Sequence, residues 1–295
     1  MSEEIGTAMS VVRRAICVAV VAAWALVAGP AEMDRAQKLY DRTDYVGALR
    51  ILQSENSKDA RVWALIGQSY FMMTDYKQAV NAFEKATAAE PNQSDYVLWL
   101  GRAWGRRAEV SNPLMAPSYA SKARQCFERA VALNGKNQEA LSDLFDYYLE
   151  APGFLGGGFS KAEAVADLIA KQDPVEGHVA QAQLADRRKR FDDAEQQLRR
   201  AVELAPREVG RVLDLASYLS KLGRTPESDA AFARALKLAP NSPRVLYRVA
   251  ETYVRDRRNL DKARDLLRQY LASDLTPDDP PRTKAEELLR KADGV

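Results

Sequence analysis

The sequence predicts an all-α protein, an array of helix pairs stacked side by side, on three observations. Large and small apolar residues recur three, four and seven apart along most of the chain, which is the spacing of one helical face. The same two-helix phrase returns at intervals near the roughly 34 residues of a helical repeat. Pro91, Pro174, Pro206, Pro240 and Pro277 punctuate the phrases; proline cannot continue a helix and biases the residue before it toward extended backbone.

Ala36, Leu39, Tyr40, Ala48 and Leu52 predict a degenerate opening pair over residues 31–59. The clearest unit spans 60–93. Trp63, Ile66, Gly67 and Tyr70 share a face of its first helix, and Ala79, Phe83 and Ala86 share a face of its second. Gly67 and Ala79 let the two helices approach, and Phe83 fills the groove against the next pair. The unit at 94–137 has Val97, Leu100, Gly101 and Trp104, then Ala123, Phe127 and Ala130, with Gly135 in place of a proline. An insertion of about ten residues, within Arg107 to Ser121, is expected between its helices by comparison with the repeat length. The unit at 138–174 has Leu141, Leu144, Phe145 and Tyr148, then Ala162, Ala166 and Ile169, interrupted by Ala151 to Phe159. Further units follow near 175–208 (Ala182, Ala194, Leu198, Ala201), 209–242 (Val212, Leu215, Ala216, Leu219, Phe232, Ala235) and 243–277 (Leu246, Val249, Ala250, Tyr253, Ala263, Leu267, Tyr270). Residues 282–292 predict a polar closing helix, which terminal repeats need for solubility.

These residues resemble the tetratricopeptide repeat, and the resemblance covers roughly residues 31–292. It implies a right-handed α-solenoid of about six helix pairs, with the degenerate pair before them and the capping helix after. The glycine-rich insertion is similar to those of uncharacterised bacterial tetratricopeptide proteins, a likeness that implies no activity.

Residues 1–29 read differently. Ala15 to Ala28 is uncharged and almost wholly apolar, preceded by Arg13 and Arg14 and followed by Gly29 and Pro30. About fourteen residues is short of the roughly twenty that span a bilayer but suits a secretory signal. An export signal, an uncleaved anchor and a buried helix are the three readings. In the first two the repeats face outward, so the expected location is periplasmic or secreted, or at the inner membrane if the segment stays attached. Membrane contact is then expected only through that segment.

With 43 basic and 41 acidic residues, net +2, the balance argues against a nucleic-acid partner. The run from Arg187 to Arg190 reads as a solvated turn at a helix carboxyl end. Cys17 lies in the leader and leaves Cys126 alone, so no internal disulfide is expected in the mature chain. Cys126 is a small buried hydrophobe, or else it forms an intermolecular bridge or a reactive thiol.

Nothing in the chain predicts catalysis, a cofactor or a metal. His178 is the single histidine, with no cysteine or second histidine close by in sequence to complete a metal site, and any triad with a histidine base would have to use it. Asp143, Asp146 and Glu150 share a helix face; they could serve acid–base work but read better as a polar lining. The stretch Gly153 to Lys161 imitates a phosphate loop, but Phe159 stands where the lysine should follow the last glycine and a helix leads in. It reads as an ordered excursion in which Ala151 and Pro152 stop one helix and Ser160, with Glu163, caps the next. Phe154, Leu155 and Phe159 either pack back onto the solenoid or form a docking knob.

The resemblance also implies that first helices line a concave groove that holds the ligand. The implied groove residues are Arg61, Gln68, Phe71 and Met72; Leu98, Arg102 and Arg106; Asp146, Leu149 and Glu150; Gln183 and Asp186; Ser217 and Lys221; Tyr247, Glu251 and Arg255. Such a lining suits an extended peptide or helix of patterned charge. Family members that clamp a terminal carboxylate use lysine and asparagine where this chain has Ala64 and Gln68, so that mode is not expected. The function expected is an exported scaffold that binds a protein or peptide. The alternatives are a small-ligand binder or enzyme at the acidic third unit, and a structural oligomer.

Overall fold

A computed structural model describes residues 30–53 and 59–294, so the leader readings on Arg13, Arg14, Ala15 to Ala28 and Cys17 lie outside the described residues. The described residues form fifteen α-helices, one 3-10 turn and no strand. Seven hairpins follow one another: α1 (Pro30–Asp41) with α2 (Tyr45–Gln53), α3 (Ala60–Met72) with α4 (Tyr76–Ala89), α5 (Ser94–Glu109) with α6 (Ala116–Leu133), α7 (Gln138–Glu150) with α8 (Phe159–Gln172), α9 (Pro174–Arg187) with α10 (Phe191–Leu204), α11 (Val209–Lys221) with α12 (Thr225–Leu238), and α13 (Pro243–Arg255) with α14 (Leu260–Ala272). The cap is α15 (Arg282–Asp293).

Helix starts follow local chemistry. Asp59, Asp75, Asn137 and Asp173 each accept backbone N–H bonds at the first turns of α3, α4, α7 and α9, satisfying donors that a helix leaves open. Ser160 does not cap α8: that helix already begins at Phe159, Gly158 holds the cap position without a side-chain bond, and Glu163 pairs with Arg188 instead. The expected insertion within Arg107 to Ser121 is also corrected. Most of it is helix, because α5 runs on to Glu109 and α6 starts at Ala116, leaving a connection of residues 110–115.

The signature positions form the core. Ala79, Phe83, Ala86, Ala130, Ala166, Phe232, Ala235 and Leu267 are fully buried, and the core forms three apolar clusters, each spanning consecutive units, between Ala36 and Ala292. This is the small-against-large packing of a repeat array in which each pair buries its face only against neighbours. A Cβ on Gly67 would stand 2.7 Å from the Phe83 ring, and one on Gly101 would stand 2.7 Å from the Phe127 ring. Neither large ring has room to withdraw, so Gly101→Val is expected to lose about 1–3 kcal/mol in urea denaturation, and an unchanged midpoint would contradict this packing.

Successive units are also clipped together where they close. Arg129 donates to the Pro91 carbonyl at 2.6 Å, Gln172 to the Gly135 carbonyl at 2.7 Å and Arg234 to the Pro206 carbonyl at 2.6 Å. Each clip uses only a backbone oxygen, which is why glycine at 135 serves where proline stands elsewhere.

The backbones of most successive first helices pack on one another, α3 on α5, α5 on α7, α7 on α9, α11 on α13, and α13 on α15, whereas second helices approach only through long side chains, as where Arg199 of α10 reaches Glu227 of α12 at 2.9 Å. First helices are therefore drawn together on the inside of the bend and second helices spread on the outside. The result is a right-handed α-solenoid with a hollow face built by the first helices.

Candidate binding groove

The turn of each first helix decides what meets the hollow. Leu98, expected to contact a ligand, is 1% exposed and is corrected to the core; Leu213 and Tyr247, at the equivalent place one residue after the signature apolar residue, are buried too. Packing between first helices takes that position. The next residue is less buried in several units: Trp99, Asp143 and Asp214 are half-buried and Arg248 is exposed. Trp99 is the groove aromatic that the sequence reading missed by one residue. It stacks on Phe83 at 5.8 Å, meets Phe71 edge-on at 5.4 Å and carries the Arg102 guanidinium at 5.1 Å.

Many of the expected groove charges are spent on neighbouring units. Arg102 donates to Asp143 at 2.6 Å and to Glu139 at 2.9 Å. Glu150 pairs with Arg187. Asp186 accepts from Lys221 at 2.6 Å and from the Tyr218 hydroxyl at 3.1 Å. Arg248 donates to Ser217 at 3.3 Å and stands near Asp214. The buried Arg211 joins Glu176, Glu208 and Asp214. The exposed pairs among these contribute at most about 1 kcal/mol each; what the pairs between units fix is the register of one repeat on the next.

The remaining expected residues divide by position. Arg61 is exposed but held by its own Asp59 at 2.7 Å. Arg106 pairs with Glu109 and lies over the Tyr76 ring, and Arg255 pairs with Asp256 at 2.8 Å. Gln68 and Leu149 are half-buried. Gln183 lines a cavity of about 240 Å³ with Glu139 and Phe145, between the third and fourth units. Glu251, Arg255 and Ser217 line one of about 1030 Å³ beside Lys291.

One cavity, of about 860 Å³, changes the picture of an open trough. It is walled on one side by Phe71, Met72, Trp99 and Arg102, from α3 and α5, and on the other by Asp214, Arg244, Tyr247, Arg248 and Glu251, from α11 and α13. The turn Pro277 to Pro281 and Lys284 complete it. The solenoid has curled until its early and late repeats share a space. Burial raises the Tyr40 and Tyr45 hydroxyls of the opening pair, and the charge of Asp278 in the closing turn adds to both. Among the described residues Arg244 and Lys284 make no ion pair and offer free cations to this bore.

Asp146 opens to solvent yet is ringed by the hollow wall, so burial, with the Asp143 charge second, pushes its carboxyl up to about 6. Burial raises Asp143 too, against the opposing pull of Arg102. Both hold a proton more tightly folded than unfolded, so stability falls as pH rises from about 4 to about 6. Asp146→Asn is expected to flatten that slope and to leave the chain more stable than the parent at neutral pH, read as denaturation midpoints at the two ends of the window.

The glycine loop does not offer a phosphate cradle. Its lysine, Lys161, donates to the Gly156 carbonyl at 2.8 Å, and the loop carries a 3-10 turn over Gly153–Leu155. His178 bonds Gln197 at 2.6 Å. Among the described residues no group of three or more His, Cys, Asp and Glu could hold a metal. The Cys126 thiol, half-buried, is pushed up to about 11 by burial, which makes it a packing residue rather than a nucleophile.

Two tetratricopeptide repeat family models match the chain, one over residues 60–93 and one over 213–280. The chain is a tetratricopeptide repeat protein. Among solved structures, a tetratricopeptide repeat protein from Parabacteroides merdae ATCC 43184 is similar at 14% identity over 88% of this chain and 97% of its own, with a TM-score of 0.58. A thermophilic protein of the same repeat from Thermus thermophilus is similar at 20% identity over 64% of this chain and 97% of its own, with a TM-score of 0.51. At these identities the likeness is one of fold. No curated protein matches the chain. The fold is that of a protein-interaction scaffold.

Proposed function

We propose that the protein is an exported, non-enzymatic scaffold that grips a protein or peptide segment in its hollow, in the cell envelope. The observation that carries this is the shared bore, in which an aromatic wall of Phe71 and Trp99 faces the free cations Arg244 and Lys284. Such a site suits an extended segment that places an apolar side chain against the rings and a carboxylate against the cations. Export rests on the apolar run from Ala15 to Ala28 behind Arg13 and Arg14.

The test is affinity capture from envelope extracts with the full chain and with Arg244→Glu plus Lys284→Glu. Both side chains are exposed, so the fold should survive, which helical circular dichroism would check. A specific partner lost by the variant supports the bore, and identical partner sets with the two proteins would remove it. Sequencing the amino terminus of the protein from its native cells separates cleavage from anchoring.

A further inference from the structure

We propose that the edge of the solenoid bearing the α5–α6, α7–α8 and α9–α10 connections docks on an anionic lipid bilayer. The hollow and its partner are not involved.

Hairpins alternate in direction, so each first helix ends, and each second helix starts, on the same edge. Six of the eleven large apolar side chains exposed among the described residues lie on this edge in three consecutive units: Val110, Leu114, Met115, Phe154, Phe159 and Phe191. The α5–α6 and α7–α8 connections are the two in which the chain outgrows a minimal repeat.

Their apolar tips are held out by built loops. The Asn112 side chain accepts from the N–H groups of Leu114 and Met115 at 3.1 Å, and Leu114 is 90% exposed. In the next unit the Tyr147 hydroxyl donates to the Leu155 carbonyl at 3.0 Å and Gly158 N–H to the Tyr148 carbonyl at 2.8 Å, while Phe154 stays 82% exposed. A hydrogen-bonded loop that keeps a phenylalanine in water has not collapsed onto its own core, and the side chain remains available for another apolar phase.

Charge selects that phase. Among the described residues, Arg107, Lys122, Lys161 and Lys189 lie at these connections without an ion pair. The carboxylates beside them, Glu109, Glu150, Glu163 and Asp193, are each taken by an arginine, which leaves Asp192 against four free cations. Protruding apolar tips in a cationic setting match an anionic interface, which accepts such side chains without a preformed pocket.

The test places a fluorescent reporter on the full chain by Leu114→Trp or Phe154→Trp, with Leu204→Trp on the opposite edge as control, each read as a difference from the parent protein. Vesicles contain phosphatidylcholine brominated on the upper acyl chain, with or without phosphatidylglycerol. The expected result is quenching at 114 and 154 but not at 204, with phosphatidylglycerol only, falling at least about threefold when Lys161→Glu and Lys189→Glu are added. Quenching equal at all three positions, or independent of phosphatidylglycerol, overturns the proposal. So does a lack of quenching at 114 and 154; a concentration-dependent mass abolished by Leu114→Asp with Phe154→Asp would then show that the edge joins copies of the chain instead.

Discussion

Phe83→Ala is expected to lower the unfolding free energy by about 3–5 kcal/mol. The ring is fully buried, stacks on Trp99 and fills the space left by Gly67, so its removal opens a void at the junction of two pairs and undercuts the aromatic wall of the bore. Urea denaturation with helical circular dichroism would read the loss. Hydrogen exchange should place it in α3, α4 and α5 first, because each pair in a stacked array leans on its immediate neighbours. A midpoint within error of the parent protein would mean that Phe83 neither closes its own hairpin against Gly67 nor joins it to the next unit through Trp99.

Gly157→Val is the second large effect, at about 2–3 kcal/mol. A Cβ at this position would overlap the Ala151 carbonyl oxygen and stand 2.6 Å from its carbonyl carbon. Those are backbone atoms at the end of α7, so no rotamer change relieves the clash. Gly156 beside it has φ +90°, a conformation that side chains resist. The loop must rebuild or detach, and faster protease cleavage within residues 151–158, with the rest of the array intact, is the expected signature. Unchanged cleavage would show that the loop tolerates a side chain.

The helix pairs were legible because their signature residues act within one unit. Trp63, Gly67, Ala79 and Phe83 set the geometry of a single hairpin, and a spacing of three or four residues reports that directly. The groove was less legible, for two physical reasons. Leu98 and Trp99 are adjacent, separated by about 100° around a helix, and which one faces inward is decided by the neighbouring first helix rather than by the unit that carries them. The charges of Arg102, Glu150 and Asp186 looked available because their partners, Asp143, Arg187 and Lys221, lie 35 to 41 residues away in the next unit. Only the stacking register brings them together. Loop chemistry misled in the same way: Ser160 has the right type for a cap, but the turn through Gly158 starts the helix one residue before it. The long α5 and α6 absorbed an insertion that the repeat length alone assigned to a loop.

The meeting of Phe71 and Trp99 with Arg244 and Tyr247 across one space bears on which guests the coil admits. A hollow lined by both early and late repeats is entered by threading or by springing those repeats apart. On the function proposed above, a loose polypeptide tail or a lone helix tip is expected to pass the first way, and a bulky folded body to be turned aside.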